Sequence, residues 1–259
     1  MNELFTVIIY AYNNLQYLKE CVDSVLEQDY SNIELLITDD SSKDFNINLI
    51  NKYINDNKRI NISKVTINRN EKNLGIIKNL NKAISISSGK YMMNLACDDK
   101  LHDNTVITSV VNCFNKTNAL AITGFLEWCN IDMTKSGEYY PDRCTMDYVN
   151  NNPPLNLFKL LCNRNFLVGP GFSYQRELIN KYGYYDEDYT LLEDYPRYLS
   201  LSRQGCNIHF IDKVLVCHRY GGISSSPGNN EEEIKLRAIF GKEIAYAKEK
   251  EINPYRNIL

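Results

Sequence analysis

Lys90-Tyr91-Met92-Met93-Asn94-Leu95-Ala96-Cys97-Asp98-Asp99 is a short apolar run that closes on two carboxylates. Residues 90–95 read as a buried strand, and residues 102–115, with a helical apolar period, as the helix that follows. The same sentence is written earlier as Ile33-Glu34-Leu35-Leu36-Ile37-Thr38-Asp39-Asp40-Ser41-Ser42. Here Ser41 or Ser42 is the expected cap of a helix reaching about residue 54. Working outward, residues 4–11, 62–67 and 119–125 read as further strands. Residues 15–28 and 75–87 carry apolar side chains at helical spacing. Strands alternating with helices predict an α/β fold, with a mostly parallel sheet covered on both faces. In such sheets ligands bind beyond the carboxyl ends of the strands, which is where both acidic pairs fall.

The rhythm changes after Trp128. Residues 129–153 read as a long loop with short strands, and Pro153-Pro154 as the entry to a helix ending at Leu161. Gly169-Pro170-Gly171 reads as a turn into residues 172–174. Glu193-Asp194 opens a helix over residues 193–203 that holds Pro196 in its first turn. Residues 208–210 and 214–217 read as two short strands, residues 224–230 as a polar loop, and residues 231–250 as a mixed-charge helix. No internal repeat or compositional break divides the chain.

The 259 residues carry a net charge of −3, so nothing electrostatic favours nucleic acid as a partner. The eight cysteines form no C-x-x-C pair and several lie in apolar runs, which predicts free thiols rather than a disulfide framework or a zinc site. The acidic start Met1-Asn2-Glu3 reads as the lead into a strand rather than a signal peptide, and no apolar run reaches the roughly 18 residues of a membrane span. A cytoplasmic protein is expected, with room for peripheral contact at a membrane face. No G-x-G-x-x-G follows the first strand, which argues against a dinucleotide enzyme.

Each acidic pair has two readings when taken alone. Asp98-Asp99 suits a divalent cation, since adjacent carboxylates repel unless neutralised and a hard cation takes one or two of them together with substrate phosphates. It suits equally the first turn of the next helix. Asp39-Asp40 could accept from a base or ribose, or cap a helix. Glu193-Asp194 could supply a general base, although first-turn helix acids are the simpler reading. His102, His209 and His218 show no metal-ligand spacing. His218-Arg219 could place cationic groups on phosphate, or simply end a strand.

Taken together and in order, these segments resemble the family 2 glycosyltransferases of the GT-A fold, over roughly residues 4–225. Val7-Ile8-Ile9-Tyr10-Ala11-Tyr12-Asn13 is similar to that family's first strand and nucleotide loop, which usually has Pro where this chain has Tyr10. Asp39-Asp40-Ser41-Ser42 resembles its acidic loop. Asn73-Leu74-Gly75, Asn79, Asn81 and Ser88-Gly89-Lys90-Tyr91 resemble the segment that follows. Asp98-Asp99 sits at its D-x-D motif, Gly169-Pro170-Gly171-Phe172 at its acceptor-side segment, and Glu193-Asp194 at its Glu-Asp motif.

The resemblance implies one domain over residues 1–259. Residues 1–100 would bind the nucleotide-sugar, and residues 101–259 would bind the acceptor and supply catalysis. It implies inverting transfer from a nucleotide-diphosphate sugar, with a UDP-sugar expected, to a glycan or lipid-linked saccharide in surface polysaccharide biosynthesis. Asp194 would be the catalytic base. Asp98 and Asp99 would hold Mn2+ or Mg2+. Ala11, Tyr12, Asp39, Asp40, Asn81, Glu193 and Arg219 would bind substrate, with Asp40 on the uracil and Ala11 and Tyr12 framing it. Where the family often reads Asp-x-Asp-Asp, this chain has Ala96 first, which puts the metal role mainly on Asp98. That departure is the one support for an alternative: an inactive relative serving as a nucleotide- or carbohydrate-binding subunit.

Overall fold

The computed structural model describes residues 2–221 and 231–258. The first four long strands are β1 (Phe5–Ala11), β2 (Ile33–Asp39), β3 (Ile62–Arg69) and β4 (Tyr91–Ala96). They pair in parallel in the order β3-β2-β1-β4. β1, β2 and β4 are nearly continuous apolar runs because helices cover both faces. Val7 and Ile9 face one core, with α1 (Leu18–Leu26) and α4 (Val106–Thr117). Ile8 faces the opposite core, with α3 (Ile76–Ile86) and much of the C-terminal half.

The helix after β2 begins later than the sequence suggests. α2 spans Ile47–Asn57, and its cap is Asn46, whose side chain accepts from the amides of Asn48 and Leu49. Ser41 and Ser42 instead shape the turn at the strand end, where Ser41 has φ of +69°.

Beyond β4 the parallel order gives way. β8 (Ser173–Gln175) inserts antiparallel between β4 and β6 (Ala121–Cys129). β9 (Ile208–Arg219) then runs parallel to β6, and the two-residue β5 (Lys100–Leu101) pairs with β9. β9 is one strand with register shifts where two short strands were expected, because an irregularity between Thr123 and Phe125 absorbs residues 211–213, two of them the charged Asp212 and Lys213. The expected loop 129–153 contains β7 (Lys135–Tyr140), paired to β6, and α5 (Arg143–Asn151) capped by Asp142. Both are strongly polar and escape an apolar-period reading. α6 (Pro154–Leu161), α8 (Asp194–Arg203) and α9 (Glu231–Ala247) match expectation, while α7 (Arg176–Tyr182) is an additional helix. The loop expected over 224–230 lies outside the described residues.

All eight cysteines are free thiols; Cys144 is exposed and Cys162 half-buried. No described helix is long and apolar enough to cross a membrane.

This topology gathers the site. The carboxyl ends of β1, β2 and β4 share one edge, with Ala11 opposite Asp39 and Tyr10 opposite Ala96. Because β8 is antiparallel to β4, the turn before it, Gly169–Gly171, reaches that same edge.

Candidate active site

At the β2 end, both aspartates are buried. Asp39 Oδ2 accepts from the Ser42 amide at 3.0 Å and faces Arg69 Nε at 3.5 Å, while its Oδ1 is buried without a partner. The oxygens of Asp40 accept from the amides of Leu74 (2.9 and 3.0 Å) and Gly75 (2.8 Å) and from Asn70 Nδ2 (2.9 Å). The carboxylate therefore sits on the N-terminus of α3, where amides and helix dipole favour negative charge. It ties the 70–75 loop to the sheet edge. Ala11 is buried beside this turn and Tyr12 is 45% exposed at the lip. Asn81 stands apart, gripping the Tyr185 backbone (2.9 and 3.0 Å) and Glu187 Oε1 (3.0 Å).

At the β4 end the two aspartates differ. Asp98 is partly exposed, with Asn14 Nδ2 at 3.4 Å. Burial and the adjacent Asp99 charge raise its pKa above the usual carboxylate range, against the pull of His218 and Arg219. Asp99 is buried and accepts from His218 Nδ1 at 2.9 Å and from the Arg219 amide at 3.1 Å. A carboxylate can only accept, so Nδ1 carries the proton and Nε2 is left as the other ring position. Burial opposes charge on His218, but Asp99 and Asp98 outweigh it and hold the imidazole pKa above its ordinary value.

Arg219 is buried and clamps this loop. Its guanidinium donates to the Asp98 carbonyl (2.9 Å), to Glu20 Oε2 (2.8 Å) and to the Ile131 carbonyl, and lies 4.0 Å from the Tyr17 ring centre. These contacts hold Asp98 in place rather than leaving the guanidinium open to a ligand.

For a divalent cation the donor set fits: one partly exposed carboxylate on Asp98, and an imidazole whose second nitrogen is oriented by the buried Asp99, a common arrangement behind metal-binding histidines. A second grouping, His102, Glu127 and Cys217, already contains its own cation. Lys135 Nζ lies 2.9 Å from His102 Nε2 and 3.6 Å from Glu127 Oε2, so it reads as an ion-pair network.

The third pair lies across a small cavity lined by Tyr10, Asn94, Gly169, Tyr185, Glu193, Asp194, Arg197 and Tyr198, among others. Gly169 lets the helix start approach, since a Cβ there would fall 3.1 Å from Glu193 Oε1 and 3.2 Å from Asp194 Cβ. Glu243 of α9 accepts from the amides of Thr190, Leu191 and Leu192 at 2.6–2.9 Å, fixing the lead into α8. Asp194 accepts from the Tyr195 amide (2.6 Å) and Asn165 Nδ2 (3.3 Å). Burial raises the Asp194 pKa and these two donors restrain it. Glu193 is pushed up to about 8 by burial, then by the Asp194 charge and Glu243. Two neighbouring carboxylates are thus divided by environment: burial raises both, two donors hold back the rise at Asp194, and Glu193 is left inclined to keep its proton.

That division has a consequence for stability. The folded pKa of Glu193 lies above the unfolded value near 4.5, so the folded state binds more protons between them. Stability should fall as pH rises from about 4.5 to 8, then level. Glu193→Gln should flatten that slope and gain about 1–3 kcal/mol at pH 8, read as thermal unfolding at pH 5 and pH 8. An unchanged slope would mean that Glu193 titrates like an exposed carboxylate.

Residues 6–183 match the family model described as glycosyl transferase family 2. An uncharacterized glycosyltransferase of Haemophilus influenzae is 25% identical over 251 residues, covering 94% of this chain and 74% of that protein. Among solved structures, Staphylococcus aureus TarS 1–349 in complex with UDP-GlcNAc superposes with a TM-score of 0.66 at 18% identity, covering 91% of this chain and 65% of TarS 1–349. The mannosyltransferase PcManGT of Pyrobaculum calidifontis, in complex with GDP-Man and Mn2+, gives 0.65 at 17% identity, covering all of this chain and 68% of that one. At these identities the two structures establish the shared GT-A fold.

Proposed function

The chain belongs to glycosyl transferase family 2, and on that premise we propose that it is an inverting, metal-dependent transferase. It would move a sugar from a nucleotide diphosphate, a UDP-sugar first, to a hydroxyl of a glycan or lipid-linked saccharide. The observation that carries this reading is the pairing of two unlike acidic groups at one sheet edge: Asp98 with Asp99 and His218, and Glu193 with Asp194. Tyr10 lies within electrostatic reach of both.

In the proposed step, the acceptor oxygen forms a bond to the anomeric carbon as the bond from that carbon to the diphosphate oxygen breaks. The electron pair leaves with the diphosphate. Asp194 takes the acceptor proton, and Glu193 contacts a sugar hydroxyl. Asp98, with His218 and Asp99 behind it, would hold a divalent cation, which when bound would supply charge neutralisation for the leaving diphosphate. Ala11, Tyr12 and Asp39 line the expected base site, and Asp40 shapes it through the 70–75 loop. Arg219 and Asn81 act by holding the Asp98 loop and the 185–187 segment. We assign the pathway to surface polysaccharide assembly at the cytoplasmic membrane face. Donor and acceptor specificity fall to residues 127–165 and 167–190.

The test is release of nucleoside diphosphate from a panel of UDP-sugars and GDP-mannose with Mn2+ and no acceptor. Slow release from one donor supports the transferase reading. Nucleotide binding with no release from any donor favours the binding-subunit alternative that Ala96 suggests.

A further inference from the structure

The alternation of β1 sends Val7, Ile9 and Ala11 to one core and Ile8 to the other. Tyr10 follows Ile8, packing its ring against the core that holds the C-terminal half. At this position that face opens. Tyr10 is only half-buried, and it forms part of the cavity wall with Gly169, Glu193 and Asp194.

Most of the wall's other neutral polar groups, and the terminal nitrogens of Arg197, are engaged within the protein; Arg197 Nε is buried without a partner. The Asn94 amide donates to the Tyr185 hydroxyl (2.8 Å) and accepts from Tyr174 (2.9 Å). Tyr198 donates to the Val168 carbonyl at 2.6 Å. Arg197 donates to the carbonyls of Gly183 and Tyr184 at 2.8 and 3.0 Å. Among the described residues the Tyr10 hydroxyl has no hydrogen-bond partner. Tyr10 shares the cavity wall with Glu193 and Asp194, and on its other flank it is paired with Ala96, two residues before Asp98; burial, then the charges of Glu193, Asp99 and Asp98, keep the phenol protonated. The phenol is therefore an uncommitted donor between the two acidic groups.

We propose that the Tyr10 hydroxyl donates a hydrogen bond to the sugar being transferred, making Tyr10 a determinant of donor-sugar recognition. This rests on the proposed function: if Asp98 marks the diphosphate and Asp194 the attacking hydroxyl, the sugar occupies the space between, and Tyr10 forms its floor. The nucleotide lies beyond, at Ala11 and Tyr12, so the contact belongs to the sugar alone.

The experiment compares Tyr10→Phe with the unaltered protein by calorimetry with Mn2+. The probes are UDP, UDP-glucose, UDP-galactose, UDP-N-acetylglucosamine, GDP and GDP-mannose. The expected result is that Tyr10→Phe binds the free diphosphate normally and loses about 3–10-fold in affinity for the sugar-bearing donor that the unaltered protein prefers, the loss of one neutral hydrogen bond. Equal affinities for that donor in both proteins would overturn the proposal. So would parallel losses for diphosphate and donor, which would place Tyr10 under the nucleotide or in the fold. If the unaltered protein binds no diphosphate at all, the donor-site reading itself fails and this inference falls with it.

Discussion

Asp194→Asn should lower kcat for transfer by about 10²–10⁴-fold while leaving the Kd for nucleoside diphosphate within about twofold. The substitution keeps size and shape. The amide oxygen it introduces can still accept from the Tyr195 amide, as Asp194 Oδ1 now does. What it removes is the capacity to take a proton. Asp194 is the better candidate for that work than Glu193, because two donors stabilise its anion while burial pushes Glu193 up to about 8. The sign of the pH dependence follows. A base works only when ionised, so activity should fall as pH drops through the Asp194 pKa, which burial sets above the usual aspartate range. Weakened nucleotide binding in Asp194→Asn, with transfer reduced only in proportion, would remove Asp194 from the chemical step.

Asp98→Ala should abolish metal-dependent turnover and weaken Mn2+ binding in the presence of UDP by at least about 10–100-fold, followed by electron paramagnetic resonance of free Mn2+. Misfolding is a poor explanation for such a loss. Asp98 sits beside Asp99 with a raised pKa, so its charge opposes folding at neutral pH, and removing it should leave thermal stability equal or higher. His218 and Arg219 would keep their bonds to Asp99. Undiminished Mn2+ affinity in Asp98→Ala would move the cation elsewhere.

The strand–helix alternation through β4 was legible because each element there is apolar and local. The acidic ends of β2 and β4 were legible for the same reason, each pair following directly on its strand. Less visible was anything set by distant pairing. The sequence leaves His218 as a cation for phosphate or a plain strand end, without metal-ligand spacing, yet β9 lies against β5, with Cys217 opposite Lys100, and this brings the imidazole to Asp99 across 119 residues. Nothing local to either residue signals it. The insertion of β8 between β4 and β6 is likewise a tertiary choice, and it carries Gly169 to the edge. Asp40 and Arg219 were recognisable as charges but not as clamps. Their partners, the amides of Leu74 and Gly75 and the carbonyls of Asp98 and Ile131, are backbone groups that a sequence does not display. α5 gives no sequence signal because it is strongly polar, and β7, in a segment expected to hold short strands, has no legible bounds because it is exposed along its whole length.

The central claim is that the edge carrying Asp40, Asp98 and His218 is a metal-dependent nucleoside-diphosphate site. Calorimetric titration of UDP into the purified protein, with Mn2+ and with chelator, tests it most directly. The account predicts saturable 1:1 binding with Mn2+ that is lost or much weakened in chelator and in Asp98→Ala. No binding of UDP or GDP under either condition would contradict it and leave the chain with the fold of its family but not the donor site.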